Sequence, residues 1–375
     1  MVTLVPKDST VTEINYFALT LSGLMERGYK KIYLLHNSLI HISAFFTIIS
    51  VGAELFLGEK DTESIVEALS QLVVCILGAI KSFLFSFKRK EIMKLFDRLE
   101  NIRVKTLKDE ENKHFFNYAD LRGRKMYPVL FVALPCYPIS SFLLNSISEI
   151  MSGFSTKHLI YKFYIPWSTE EIWIHVLTNI IETIATFLYV CVYHAFYSVE
   201  ITFTLYTTAY IKSLQNDLKN KVINKQQYFE HHKDINQLIN DYTEIWSFLM
   251  YVQTVIAPIM PCGNIVSSLR ALQRDDTSKS FENIIRGILC LLPCIVTCVS
   301  GQVIITQMER LHEAAYMNNW YEQKPRVRKD LLKLMTRTTT TASVNYRLFI
   351  RFDHDLLSKV LQVIYSYTML MVNFA

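Results

Sequence analysis

The chain has 375 residues, 51% of them hydrophobic, a formal net charge of +5 and a mean hydropathy of +0.20. That is more apolar than a soluble protein of this size sustains, because polar surface has to be supplied, so an ordinary soluble globular domain is excluded. Gly and Pro number only ten and nine and no segment has low complexity, which excludes a fibrous or disordered chain.

Residues 1–27 lack a basic n-region followed by a short apolar run and a small-residue cleavage site, so no cleaved leader is predicted. Seven segments then have the length and apolarity to cross roughly 30 Å of hydrocarbon as helices of about 20 residues. They are 31–51, 65–87, 126–147, 172–205, 245–269, 284–305 and 357–374. The predicted fold class is therefore an all-α membrane protein of seven transmembrane helices.

Between the spans, several loops keep helical periodicity while becoming charged. Leu95, Leu99 and Ile102 share one face after the second span. The fourth span continues its pattern through Tyr210 to Leu218, and Ile235, Leu238 and Ile239 share a face further on. These predict amphipathic extensions that pack on one another in water. Lys/Arg residues number 28 in the segments on their side of the membrane and six in the alternate loops. This asymmetry predicts a cytoplasmic N-terminus and, with seven spans, an extracellular C-terminus. G-protein-coupled receptors have the opposite topology, and no Asp/Glu-Arg-Tyr or Asn-Pro-x-x-Tyr marks the third and seventh spans.

Charges within spans are few. Lys81 lies near the cytoplasmic end of the second span and is predicted to snorkel. Glu182, three turns into the fourth, needs either a wet cavity or an interhelix partner, and the sequence leaves both open. Arg286 falls at the outer end of the sixth, an interfacial position. Cys290, Cys294 and Cys298 share a face of that span, but without His or carboxylate beside them they read as small buried hydrophobes.

Catalytic and phosphate-binding motifs do not occur: no G-x-S-x-G, H-E-x-x-H, P-loop or G-x-G-x-x-G. No enzyme, cofactor, metal or nucleic-acid partner is expected. His231 and His232 read as a solvated doublet, and Asp353, His354 and Asp355 point in different directions on a helix. The carboxylates suit either a cation-attracting pore mouth or a helix start.

The seventh span carries a polar stripe. Lys359, Gln362, Ser366 and Asn373 share one face, and Met369 and Leu370 interrupt it. Such a pattern suits a pore wall with a hydrophobic gate, and equally a helix hydrogen-bonded to its neighbours. A transporter is disfavoured, because no internal repeat occurs and the Pro258–Pro261 pair has no counterpart in the first half.

The C-terminal third resembles the insect odorant receptor family. The resemblance is carried by Cys298-Val-Ser-Gly-Gln302, by Ala314-Ala-Tyr-Met-Asn-Asn-Trp-Tyr321, by Pro325, Arg328, Leu331, Leu332, Leu334, Met335 and Arg337, and by Tyr365-Ser-Tyr-Thr-Met-Leu370. Ser366–Tyr367 followed by Asn373–Phe374 also approximates the ending of the related gustatory receptors, the alternative branch. The short loop after the fourth span resembles odour-specific subunits rather than the longer shared co-receptor.

The resemblance implies a ligand-gated, non-selective cation channel in the plasma membrane of sensory dendrites. It implies a heterotetramer with the insect co-receptor around one pore lined by the seventh spans, and a small neutral volatile as ligand. Residues 1–306 would then hold six spans and the pocket, 307–345 an anchor helix segment, and 346–375 the pore helix. On the family pattern Leu370 forms the gate, Asn373 lies one turn further out, and Met369, Ser366 and Gln362 line the same path. The family's pocket, in the outer half of the subunit, maps onto Leu69, Leu72 and Val73 of the second span and Tyr137, Ser141 and Leu144 of the third. Asn179, Ile180, Thr183 and Phe187 of the fourth and Ile288, Leu291 and Leu292 of the sixth complete it.

Overall fold

The computed structural model describes residues 10–24, 30–58, 62–151, 164–165, 167, 170–220, 225–274, 277–317, 320–322, 324–338, 342–347 and 349–374. A short helix α1 (Val11–Leu21) precedes α2 (Lys30–Leu57) and α3 (Thr62–Phe87). Then come α4 (Arg89–Leu107), α5 (Lys113–Met151), α6 (Ile172–Asn220), α7 (Lys225–Ile256), α8 (Ile259–Gln273) and α9 (Thr277–Tyr316). A 3-10 turn (Trp320–Glu322), α10 (Pro325–Thr338), an antiparallel pair β1 (Asn345–Tyr346) and β2 (Ile350–Arg351), and α11 (His354–Phe374) complete the chain.

All seven predicted spans fall on helices: α2, α3, α5, α6, α7–α8, α9 and α11. Among the described residues, five candidate spans meet length and composition criteria for crossing a membrane, lying on α2, α3, α6, α7–α8 and α9. The fifth span differs from expectation in being two helices. Pro258 has no N–H to donate and its ring crowds the preceding turn, so α7 stops at Ile256 and α8 restarts at Ile259.

α6 is the hub, packing against α1, α2, α3, α4, α5, α7 and α9. Its charged-loop end is enclosed by a buried aromatic and aliphatic cluster. Trp246 of α7 packs between Phe85 of α3 and Phe196 of α6, with ring centroids 4.9 and 5.3 Å away. Phe203 stacks face to face on Tyr242 at 3.7 Å. The stripes predicted from periodicity are all buried here: Leu95, Leu99 and Ile102 on α4, and Ile235, Leu238 and Ile239 on α7. The histidine doublet is not solvated. His232 is buried, and the His231 ring lies 4.1 Å from that of Tyr210, because the start of α7 folds back onto α6.

The sequence reading overlooked α1. Thr10 and Glu13 form a reciprocal capping box at its start, and Val11, Ile14, Ala18 and Leu19 bury its inner face. Asp120 of α5 anchors it. Its Oδ1 accepts from the Val11 N–H at 3.1 Å and the Tyr206 hydroxyl at 2.7 Å, while Oδ2 accepts from Arg103 at 2.8 Å. One buried carboxylate thus joins α1, α4, α5 and α6, and its charge suits the positive end of the α1 dipole. A second tie runs from Arg98 of α4 to Asp234 and Asp241 of α7.

Candidate functional site

A cavity of about 190 Å³ lies among α2, α3, α6, α7, α8 and α9, a few turns in from the end opposite the charged helices. α3 contributes Ser70, Gln71, Val74, Cys75 and Leu77, and α6 contributes Thr186, Val190, Tyr193 and Tyr197. Ile256, Ala257 and Met260 flank the Pro258 break, and Arg286, Leu289, Cys290 and Pro293 of α9 close the wall. Thr47 of α2 and Gln253 of α7 complete the lining.

Pro258 interrupts one helix beside the cavity, and Pro293 of the cavity wall sits inside α9, where it supplies no N–H to the hydrogen-bonded ladder.

Of the pocket residues expected on α3, α6 and α9, none is among the lining of this cavity: those of α3 and α9 lie beside or opposite the lining positions, while Asn179 and Thr183 share the lining face of α6 one to two turns further out. On α3, Leu69 is exposed, and Leu72 and Val73 are half-buried beside the lining positions. On α6, Ile180 is exposed and Asn179 is buried against His175, whose Nε2 lies 2.7 Å from Glu149 Oε1. Thr183 donates to the Asn179 carbonyl at 2.8 Å, and Phe187 is half-buried. Glu182 is buried nearby. On α9, Ile288 is exposed, while Leu291 and Leu292 pack into apolar clusters. The side chains of Tyr137, Ser141 and Leu144 lie outside the described residues.

Lys81 corrects another expectation. It does not snorkel but is fully buried one turn beyond Leu77, with Nζ 3.9 Å from the Tyr193 ring centroid and 4.4 Å from that of Phe196. The α3 face that carries it points at α6, and the negative faces of those rings hold the ammonium. Arg286, expected near the membrane interface, also lines the cavity wall.

From the cavity a continuous apolar path leads to α11. Ala257 of the cavity wall packs in one cluster with Cys262, Cys294 and Cys298, and with Val360 and Ile364 of α11. The Cys262 thiol donates to the Ile364 carbonyl at 3.4 Å. The cysteines are free thiols, and no metal-holding group of His, Cys, Asp or Glu occurs among the described residues.

α11 rests on this cluster through Val360 and Ile364, only 6% and 7% exposed. At 3.6 residues per turn, Gln362, Ser366 and Met369 lie on the opposite side of the helix and Leu370 on its flank. All four are exposed in the single chain, Leu370 by 52%. Ser366 turns its hydroxyl back onto the Gln362 carbonyl at 2.9 Å, and the Asn373 side chain lies outside the described residues.

The start of α11 is fixed separately. Asp353 caps it, accepting from the Leu356 N–H at 3.0 Å and from Arg351 at 2.7 Å. That is a structural role at the helix start, while the neighbouring His354 and Asp355 are exposed. Just before the cap, the Phe352 backbone lies against Gly301 of α9, where an added Cβ would come within 2.0 Å of the Phe352 carbonyl oxygen. Gly301 is the fourth residue of the Cys298–Gln302 motif, and this contact leaves no room for a side chain at that position.

Comparison with known proteins places this geometry. The family profile described as 7tm Odorant receptor matches residues 61–271 and 288–365. Odorant receptor 85c of Drosophila melanogaster is 21% identical over 348 residues, covering 86% of each chain. The solved olfactory receptor OR5 of Machilis hrabei superposes with a TM-score of 0.74 at 12% identity, covering 97% of both chains. The same receptor in complex with eugenol gives 0.80 at 13% identity, covering 97% of this chain and 98% of that one.

Proposed function

This chain belongs to the 7tm odorant receptor family, a receptor rather than an enzyme, and from that membership we propose that it is the odour-binding subunit of a ligand-gated cation channel. In this reading the chain sits in the plasma membrane of sensory dendrites with its N-terminus in the cytoplasm. It assembles with the insect co-receptor as a tetramer, with the seventh helices around one pore. The ligand is a small neutral volatile, seated in the cavity among α2, α3, α6, α7, α8 and α9. The gate is Leu370, with Gln362, Ser366, Met369 and Asn373 on the same path.

One observation carries the proposal: Ala257 belongs both to the cavity wall and to the cluster on which α11 rests. A molecule in the cavity therefore touches the support of the helix whose far side is unpartnered within the single chain. Opening follows if the ligand binds the arrangement with Leu370 withdrawn more tightly than the closed one. In the closed state a ring of leucines offers a hydrated ion neither room nor polar contact.

The test is electrical. Cells expressing the chain with the co-receptor should pass odour-evoked cation current without G-protein involvement, and Leu370→Ser should raise the odour-free leak several-fold. Current that needs a G protein, or a Leu370→Ser channel with unaltered leak and block, refutes the assignment.

A further inference from the structure

The cavity wall is mostly apolar, yet two of its residues have no apolar reason to be there. Gln71 of α3 is 8% exposed and Gln253 of α7 is 2% exposed. Both line the cavity, and both amide atoms of each are buried without a hydrogen-bond partner. Three other polar groups in the wall already have partners. Thr47 donates to the Ser43 carbonyl at 2.7 Å, Tyr193 donates to the Val74 carbonyl at 2.9 Å, and the Arg286 guanidinium is engaged.

A buried carboxamide with neither its carbonyl nor its NH2 satisfied costs about 1–3 kcal/mol per group. Two such groups facing one cavity are accounted for by a ligand that supplies their partners. Each amide offers donors and an acceptor. A hydroxyl answers both kinds, donating to one Oε1 and accepting from the other Nε2. An aldehyde or ketone only accepts, and leaves both Oε1 atoms bare. A hydrocarbon satisfies nothing. The size of the space bounds the rest. A dry cavity of about 150 Å³ takes benzene, so about 190 Å³ takes a ring, or its equivalent in chain, plus a short arm.

We propose that Gln71 and Gln253 form a carboxamide clamp that selects small neutral alcohols and phenols over carbonyl compounds and hydrocarbons of the same shape. The inference rests on the cavity being the odour site. The rank order follows from the pairing arithmetic: alcohol, then carbonyl, then hydrocarbon.

Three probes of nine heavy atoms test it: 2-phenylethanol, phenylacetaldehyde and propylbenzene, applied to the full chain co-expressed with the co-receptor. The half-maximal concentration for 2-phenylethanol should lie roughly tenfold or more below that for propylbenzene, with the aldehyde between them, as unpaired amides predict. In Gln71→Leu and in Gln253→Met that ratio should fall to about threefold or less, chiefly through loss of alcohol potency. Propylbenzene as potent as the alcohol on the natural chain overturns the clamp and leaves the cavity as odour site. So does a ratio retained in both variants. The natural-chain order stands as a test even if a variant fails to fold. Silence of all three probes at saturating vapour on a channel that reaches the surface removes the cavity itself, and with it both readings.

Discussion

Gly301→Ala puts a sign, not only a size, on the packing between α9 and the start of α11. Gly301 lies inside a helix, where alanine is favoured over glycine by about 1 kcal/mol. On propensity alone the substitution should stabilise. The structure says otherwise, because the new Cβ would lie 2.0 Å from the Phe352 carbonyl oxygen and 3.1 Å from its carbonyl carbon. Both are backbone atoms, and Phe352 is fully buried with its N–H bonded to the Val344 carbonyl at 3.1 Å. No side chain can swing away, so α9 and the lead-in to α11 must part by roughly an ångström or more. Overpacking of this kind costs typically about 1–3 kcal/mol, which outweighs the propensity gain. The expected result is a fall of a few degrees in the thermal midpoint of the solubilised receptor. An altered leak or evoked current should accompany it, because Phe352 directly precedes the Asp353 cap of α11, the helix proposed to line the pore. Fluorescence-detected thermal unfolding and whole-cell recording read the two effects. A midpoint that rises with currents unchanged refutes the close approach and the reasoning built on it.

Asp120→Asn keeps the shape of the side chain that joins α1, α4, α5 and α6 but removes one of the two carboxylates that hold the largely buried Arg103, leaving Glu100 at 3.0 Å. Weakening such a charge-assisted contact costs about 1.5–3 kcal/mol, to be read as reduced surface delivery and a lower unfolding midpoint; an unchanged midpoint would contradict the network. At Asp353, burial alone would raise the carboxyl, but the Leu356 N–H and Arg351 hold it below its ordinary value. A lowered folded value means the stabilisation is complete above the unfolded carboxylate range, near 3.9, and is lost only as pH falls below that toward the folded value. Asp353→Ala should therefore destabilise equally at pH 6 and pH 8, by about 1 kcal/mol for the lost cap; a penalty that differs between those pH values would count against it.

Element existence was readable from residue patterns; which way the helices face was not. The seven spans, the continuation of the fourth to Leu218, and the buried stripes at Leu95, Leu99 and Ile102 all follow from length and periodicity. The pocket shows where the reading stops. Leu69 and Val74 are equally apolar, yet the first is exposed and the second lines the cavity. Lipid and a membrane protein's interior make the same demand on a side chain, so periodicity loses its phase. The signal that did mark the inward faces was the isolated amide in an apolar run, at Gln71 and Gln253, which the sequence reading passed over. Lys81 failed for a related reason: its depth permits snorkelling, but its direction, set by α3 against α6, does not. The Thr10–Glu13 capping box was present in the sequence and announces α1 once it is looked for.

The 49 residues of α6 contain neither glycine nor proline, and at 1.5 Å per residue they make a rod of about 74 Å. The same rod bears the cavity at Thr186 to Tyr197 and the aromatic stack at Phe203. Such a keel gives a guest nothing to bend. The compliant walls lie across from it, where Pro258 and Pro293 weaken the hydrogen-bonded ladder. Those two walls, and not the keel, carry α11. On the proposed function, the molecule is thus divided into a stationary side and a yielding side, and a molecule seated in the cavity would press toward α11 rather than toward the keel.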